Sequence, residues 1–151
     1  MKFRLLLYIF IVLFTSSSNT PDLFSARNLY VTSADNEADY LKLFDLTLDY
    51  NLYDYPVLYG YAAAATFIQA EYVFLPSSKL KCVDKGRKML EEVIKLHPNN
   101  IELRFIRLSI QKELPFFIDY KSDIDADKTF LANHVKDLND LELQKLINYY
   151  L

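Results

Sequence analysis

Glycine is nearly absent from this sequence, and that limits what the chain can fold into more than any other feature. Of 151 residues, only Gly60 and Gly86 are glycine. Strand-rich folds turn tightly and often, and glycine supplies the backbone angles such turns need. What recurs instead is apolar spacing of three and four residues, the mark of amphipathic helices. Two glycines so far apart also exclude the phosphate-holding loops of the GxxxxGK[ST] and GxGxxG types.

The spacing and the helix-start residues predict six or seven helices. Thr20-Pro21-Asp22 opens a short first helix running toward Ser33, with proline suited to its first turn. Asp35 or Asn36 caps a second, to about Tyr50, with Leu41, Phe44 and Leu48 at i, i+3 and i+7. Pro56 begins a third, strongly apolar helix that ends before Pro76. The run Ala62 to Ala65 beside Gly60 gives it a thin wall against which neighbours can pack closely. Ser77-Ser78 is read as the cap of a fourth helix, Lys79 to His97. Val83, Gly86, Leu90 and Val93 form its apolar stripe, and mixed lysines and acids form a solvated opposite face. Asn99 or Asn100 caps a fifth helix from Ile101 to Leu114, stopped by Pro115. The segment FFIDYKS then reads as a loop pinned to the core by Phe116, Phe117 and Ile118. Asp123 caps a sixth helix, with Asp125 and Asp127 favoured near its positive end. Asn139 or Asp140 caps the last, where Asn139 and Glu142 have the spacing of a capping box.

The N-terminus reads as a separate object. Lys2 and Arg4 precede an uninterrupted apolar run, Leu5 to Phe14, and then the small residues Thr15 to Ser18. This is the layout of a secretory signal peptide, residues 1–18, and the apolar run is short for a membrane span of about 20 residues. The expectation is an exported protein, periplasmic or extracellular, with residues 19–151 as a single domain and no stable membrane insertion once the leader is cleaved. Without the leader, 15 basic residues face 20 acidic ones, a balance against nucleic-acid binding. Cys82 is the only cysteine, so an internal disulfide is ruled out; it reads as a small buried hydrophobe or as half of an intermolecular disulfide.

Little in the chain announces chemistry. His97, His134 and Cys82 make a poor set of nitrogen and sulfur ligands, so neither a metal nor another cofactor is expected. Asp123-x-Asp125-x-Asp127 resembles the start of a calcium loop. The glycine and glutamate required later are replaced by Lys128 and His134, so capping accounts better for these aspartates. A nucleophile such as Ser109 or Cys82 beside His134 would suit a small hydrolase, although no flanking signature supports one. Arg104, Arg107 and Gln111 share a stripe on the fifth helix. The arginines read either as bridges to carboxylates on a neighbouring helix or as an anion-binding pair for a peptide carboxylate or phosphate. Tyr59 belongs to a tyrosine cluster (Tyr53, Tyr55, Tyr59, Tyr61) of a kind that serves helix seams and binding grooves alike.

The joint Gly86-x3-Leu90-x2-Val93-x4-Pro98-Asn99-Asn100 resembles the second half of a tetratricopeptide repeat. There a small residue, two apolar positions and a proline precede the next helix. The first half does not match, and no second copy appears at the family period of about 34 residues. The wider chain is similar to small exported bacterial helical proteins in its leader, its alanine-rich helix and PNNIELRFIRLSIQ, a likeness that carries no activity with it. The resemblance implies an all-α bundle of antiparallel hairpins, tetratricopeptide-like or α-α superhelical. The expected role is a non-enzymatic binding or adaptor module for a peptide or protein, with Arg104, Arg107, Gln111 and Tyr59 as candidate ligand contacts. A small hydrolase and a structural subunit of an envelope assembly are the alternatives.

Overall fold

The structure, a computed structural model, describes residues 21–151, so the expected leader lies outside it. Among the described residues every regular element is helical: α1 (Pro21–Thr32), α2 (Glu37–Thr47), α3 (Pro56–Tyr72), α4 (Pro76–Leu96), α5 (Ile101–Glu113), α6 (Ile124–His134) and α7 (Leu141–Tyr150). A single 3₁₀ turn, Val135–Asp137, follows α6. No helix is long and apolar enough to cross a membrane.

Three helix starts rest on side-chain caps. Asn36 accepts from the N–H groups of Ala38 and Asp39, Asn100 from Leu103, and Asp140 from Leu143. Each satisfies backbone donors that an α-helix leaves unpaired, a contribution of about 1 kcal/mol apiece. The capping box expected at Asn139 and Glu142 gives way to Asp140. Nor do Ser77 and Ser78 cap α4, which starts at Pro76, with Leu75 in the cap position and no side-chain bond. Proline suits that first position because its missing N–H would have had no partner there. At α6, Asp123 holds the cap position without making a cap bond; its carboxylate accepts from the Ser122 hydroxyl.

α3 is the centre of the bundle, packing against α1, α2, α4 and α5. Successive helices run antiparallel, as paired contacts show. Lys79 Nζ donates to the carbonyl of Ala70, Cys82 meets Gln69, and Met89 meets Thr66, so numbers rise on α4 as they fall on α3. Thr32 bonds Asp39 while Asp22 bonds Tyr50, which sets α1 against α2 in the same sense.

Small residues let these helices close up. Ala63, Ala64 and Ala65 are wholly buried. A Cβ on Gly60 would sit 2.4 Å from Leu103 Cδ2, so α3 meets α5 there at glycine distance. A Cβ on Gly86 would sit 2.6 Å from Phe67 Cδ2. Phe67 in turn stacks on Tyr120, ring centroids 5.9 Å apart. Tyr120, 6% exposed, and half-buried Ile118 therefore anchor the loop after α5. Phe116 and Phe117 do not: they are 91% and 70% exposed and pack edge to face on each other.

Candidate binding face and buried ion clusters

α5 carries charges into the core on both of its flanks. On one, Glu102 receives Arg27 of α1 through two parallel bonds, Nε to Oε1 and Nη2 to Oε2, each 2.9 Å. Arg27 Nη1 reaches Asp140 Oδ2 at 2.9 Å, and the Tyr61 hydroxyl donates to Glu102 Oε1 at 2.7 Å. Burial alone would lower the Arg27 pKa, but the hydrogen bonds and charge of Glu102 more than offset it and hold it above the usual range. Burial, then the charge of Glu102, pushes the Tyr61 phenol well up. Asp140 is also partly desolvated, which alone would raise it. The Leu143 N–H and the Arg27 charge win, and its carboxyl lies below the ordinary value.

On the other flank, Arg107 forks onto Asp127 of α6, Nε to Oδ2 at 2.7 Å and Nη2 to Oδ1 at 2.8 Å. Its third nitrogen meets Glu91 at 3.0 Å and Asp123 at 3.6 Å. Arg104 adds a bond to Asp127 Oδ1 at 2.9 Å, donates to the carbonyl of Pro98, and lies 4.4 Å over the Phe130 ring. Tyr120 donates to Glu91 at 2.5 Å. Asp127 is wholly buried, so its role exceeds the helix-end preference read from sequence. This cluster joins α4, α5, α6 and the loop between the last two, and the Arg107 fork is saturated by carboxylates.

The four candidate ligand residues thus separate. Arg104 and Arg107 share Asp127. Gln111 is wholly buried, and neither its Oε1 nor its Nε2 meets a hydrogen-bond partner in the protein. Tyr59 lies on a different side of the bundle, half-buried near α4, where burial and then the charge of Glu92 raise its phenol. The residues weighed for nucleophilic chemistry are also apart. Ser109 is buried and bonded to Tyr30 and to the carbonyl of Ile106, Cys82 meets Gln69, and His134 bonds the carbonyl of Phe130 while stacking on its ring. Among the described residues, no group of three or more His, Cys, Asp or Glu is placed to hold a metal ion.

An open face lies opposite α5. Gly60 points at α5, so Ala62, 200° around the helix at 100° per residue, points away, as do Tyr59 and Gln69. These three are half-buried, while Thr66 between them is covered by Met89. α2 and α4 pack on opposite flanks of α3 and form no seam of their own. On α2, Asp39 and the following Tyr50 bond α1, which places Leu41 and Leu48, each two residues away, on the flank turned from α1. They are 51% and 62% exposed. On α4, Arg87 and Glu91 turn toward the loop and α5, leaving Cys82, Lys85, Met89, Glu92 and Leu96 along the open side. The face has a tyrosine and alanine floor between an apolar rim and a lysine-rich one. No protein-family model, no characterised protein and no solved structure matches this chain.

Proposed function

We propose that this chain is an exported, non-enzymatic binding module that receives a peptide or protein segment on the α2–α3–α4 face. The observation that carries the reading is the pair Leu41 and Leu48, large apolar side chains more than half exposed beside the half-buried floor of Tyr59 and Ala62. Exposed apolar surface contiguous with a half-buried floor is characteristic of interaction sites. The tetratricopeptide-like joint from Gly86 to Asn100 agrees with it, since helix hairpins of that kind present grooves to peptides. Arg104 and Arg107, each engaged by Asp127, serve in this reading to hold α5 and α6 behind the face.

The test is an affinity pull-down of the tagged protein from its native envelope, beside the variant Leu41→Ser with Leu48→Ser. A stoichiometric partner kept by the natural protein and lost by the variant supports the proposal. A partner held equally by both, or none in repeated trials, overturns it. A subunit of a larger envelope assembly is the second reading. It is favoured by Phe74 and Phe116, 93% and 91% exposed, on the loops that follow α3 and α5.

A further inference from the structure

The α2–α3–α4 face carries opposite charges on its two rims. Glu37, Asp45 and Asp49 are exposed along α2 and the turn after it, where Lys42 is already bonded to Asp39. Across the floor, Lys81, Lys85 and Lys88 are exposed on α4, with Glu92 among them; Asp84 there is paired with Arg87. A surface acidic on one edge and basic on the other is complementary to itself under one operation, a two-fold rotation about an axis lying along α3. That rotation lays the acidic α2 rim of one protomer on the basic α4 rim of its partner, twice by symmetry. It brings Leu41 and Leu48 toward the partner's Met89 and Leu96, and sets the two floors of Tyr59 and Ala62 face to face.

The size suits this occupant. With ~1.5 Å of rise per residue and ~9 Å between helix axes, α3 and its two flanking helices span roughly 25 Å by 25 Å, on the order of 600 Å² per protomer. A standard-size interface buries ~800 Å² per partner, so the flanking side chains bring the face close to what a specific dimer needs. A single peptide helix would cover only the floor and leave one charged rim unmatched on each side.

We infer that the partner of this face is a second copy of the same chain, joined as a two-fold dimer with α2 on the partner's α4. The inference rests on the binding reading above and names its partner. The experiment is sedimentation equilibrium on the protein purified after expression of the full chain, across a concentration series. Two charge-reversed variants are run alongside: Lys85→Glu with Lys88→Glu, and Asp45→Lys with Asp49→Lys. All four positions are exposed, and circular dichroism verifies that each variant is folded. The natural protein is expected to have twice the protomer mass. Each variant alone sets like charges against each other, raising the dimer dissociation constant on the order of a hundredfold. An equimolar mixture of the two variants recovers the dimer, because each then meets an opposite rim. A monomer at every concentration overturns the inference, as does a dimer indifferent to both reversals or a mixture that stays monomeric. A monomer that nonetheless captures a partner dependent on Leu41 and Leu48 removes only this inference and leaves the binding reading standing.

Discussion

Replacing Arg107 by glutamine discriminates most sharply between the two roles its sequence allows. The wholly buried Asp127 would lose both bonds of the fork, 2.7 and 2.8 Å, and keep only the Arg104 bond at 2.9 Å. Glu91 would lose its arginine too, but its side chain is 39% exposed and can be hydrated. Breaking a buried pair by removing one partner costs about 3–5 kcal/mol, and the surviving Arg104 bond puts the expected loss near ~3 kcal/mol. Against a total stability of roughly 5–15 kcal/mol that is a large fraction. With a urea m-value of about 1.5–2 kcal/mol/M, the unfolding midpoint should fall by about 1.5–2 M. Removing both partners, Arg107→Met with Asp127→Leu, leaves no orphaned charge and should recover most of the loss. A loss below about 1 kcal/mol in the single variant, with circular dichroism unchanged, would refute the argument that the fork is structural. It would return Arg107 to the role of a ligand contact.

Three further outcomes follow from the packing and the buried polar groups. Gly86→Ala drives a methyl group against Phe67, which Tyr120 backs, and should cost about 1–3 kcal/mol in thermal or urea unfolding. Gly60→Ala meets only the flexible end of Leu103 and regains helix propensity of about 1 kcal/mol, so it should cost clearly less. Equal costs would contradict this account. Gln111→Met keeps the shape while removing a buried amide without protein partners, and should stabilise the fold by ~1 kcal/mol or more. Destabilisation would mean that an ordered water or ligand satisfies that amide. Burial, with Glu102 and Glu91 beside them, holds the Tyr61 and Tyr120 phenols above their ordinary value. The native state therefore favours the neutral phenols. Their contribution is intact below the unfolded pKa of about 10 and is lost as pH rises beyond it. Tyrosinate absorbance followed with circular dichroism should show these two ionising only with unfolding, and complete titration at full helicity would oppose the reading.

Helix number and the position of most caps were legible because they are local. Asn36, Asn100 and Asp140 cap the helices that follow them, and apolar spacing places α2, α5 and α7 to within a few residues. Where local signals competed, they misled. Ser77-Ser78 has cap chemistry, but Pro76 just before it fits the first helical position better. Phe116 and Phe117 looked like anchors because they are apolar, whereas the anchoring falls to Tyr120, which has both a ring to stack and a hydroxyl for Glu91. Arg27, Glu102 and Asp127 were missed as buried charges, since their partners lie 20 to 113 residues away. A signal was nonetheless present. Arg27 stands between Leu23 and Tyr30, and Asp127 between Ile124 and Leu131, each a charge inside an apolar helical stripe. Glu102 shares its stripe with Phe105 and Ile106 in the same way. The open face was half legible: Tyr59 was singled out, but its neighbours depend on which flank of α3 receives α2 and α4.

The tie from Arg27 to Glu102 and Asp140 has a consequence for the order in which the chain can settle during synthesis. The first described helix holds an arginine whose two carboxylates come 75 and 113 residues later. While the ribosome is still making the middle of the chain, that cation has neither partner and is better left in water than buried. α1 therefore docks late, and the final residues to emerge lock down the first. A chain released before residue 140 should remain open at its N-terminal end, where proteases and chaperones would find it.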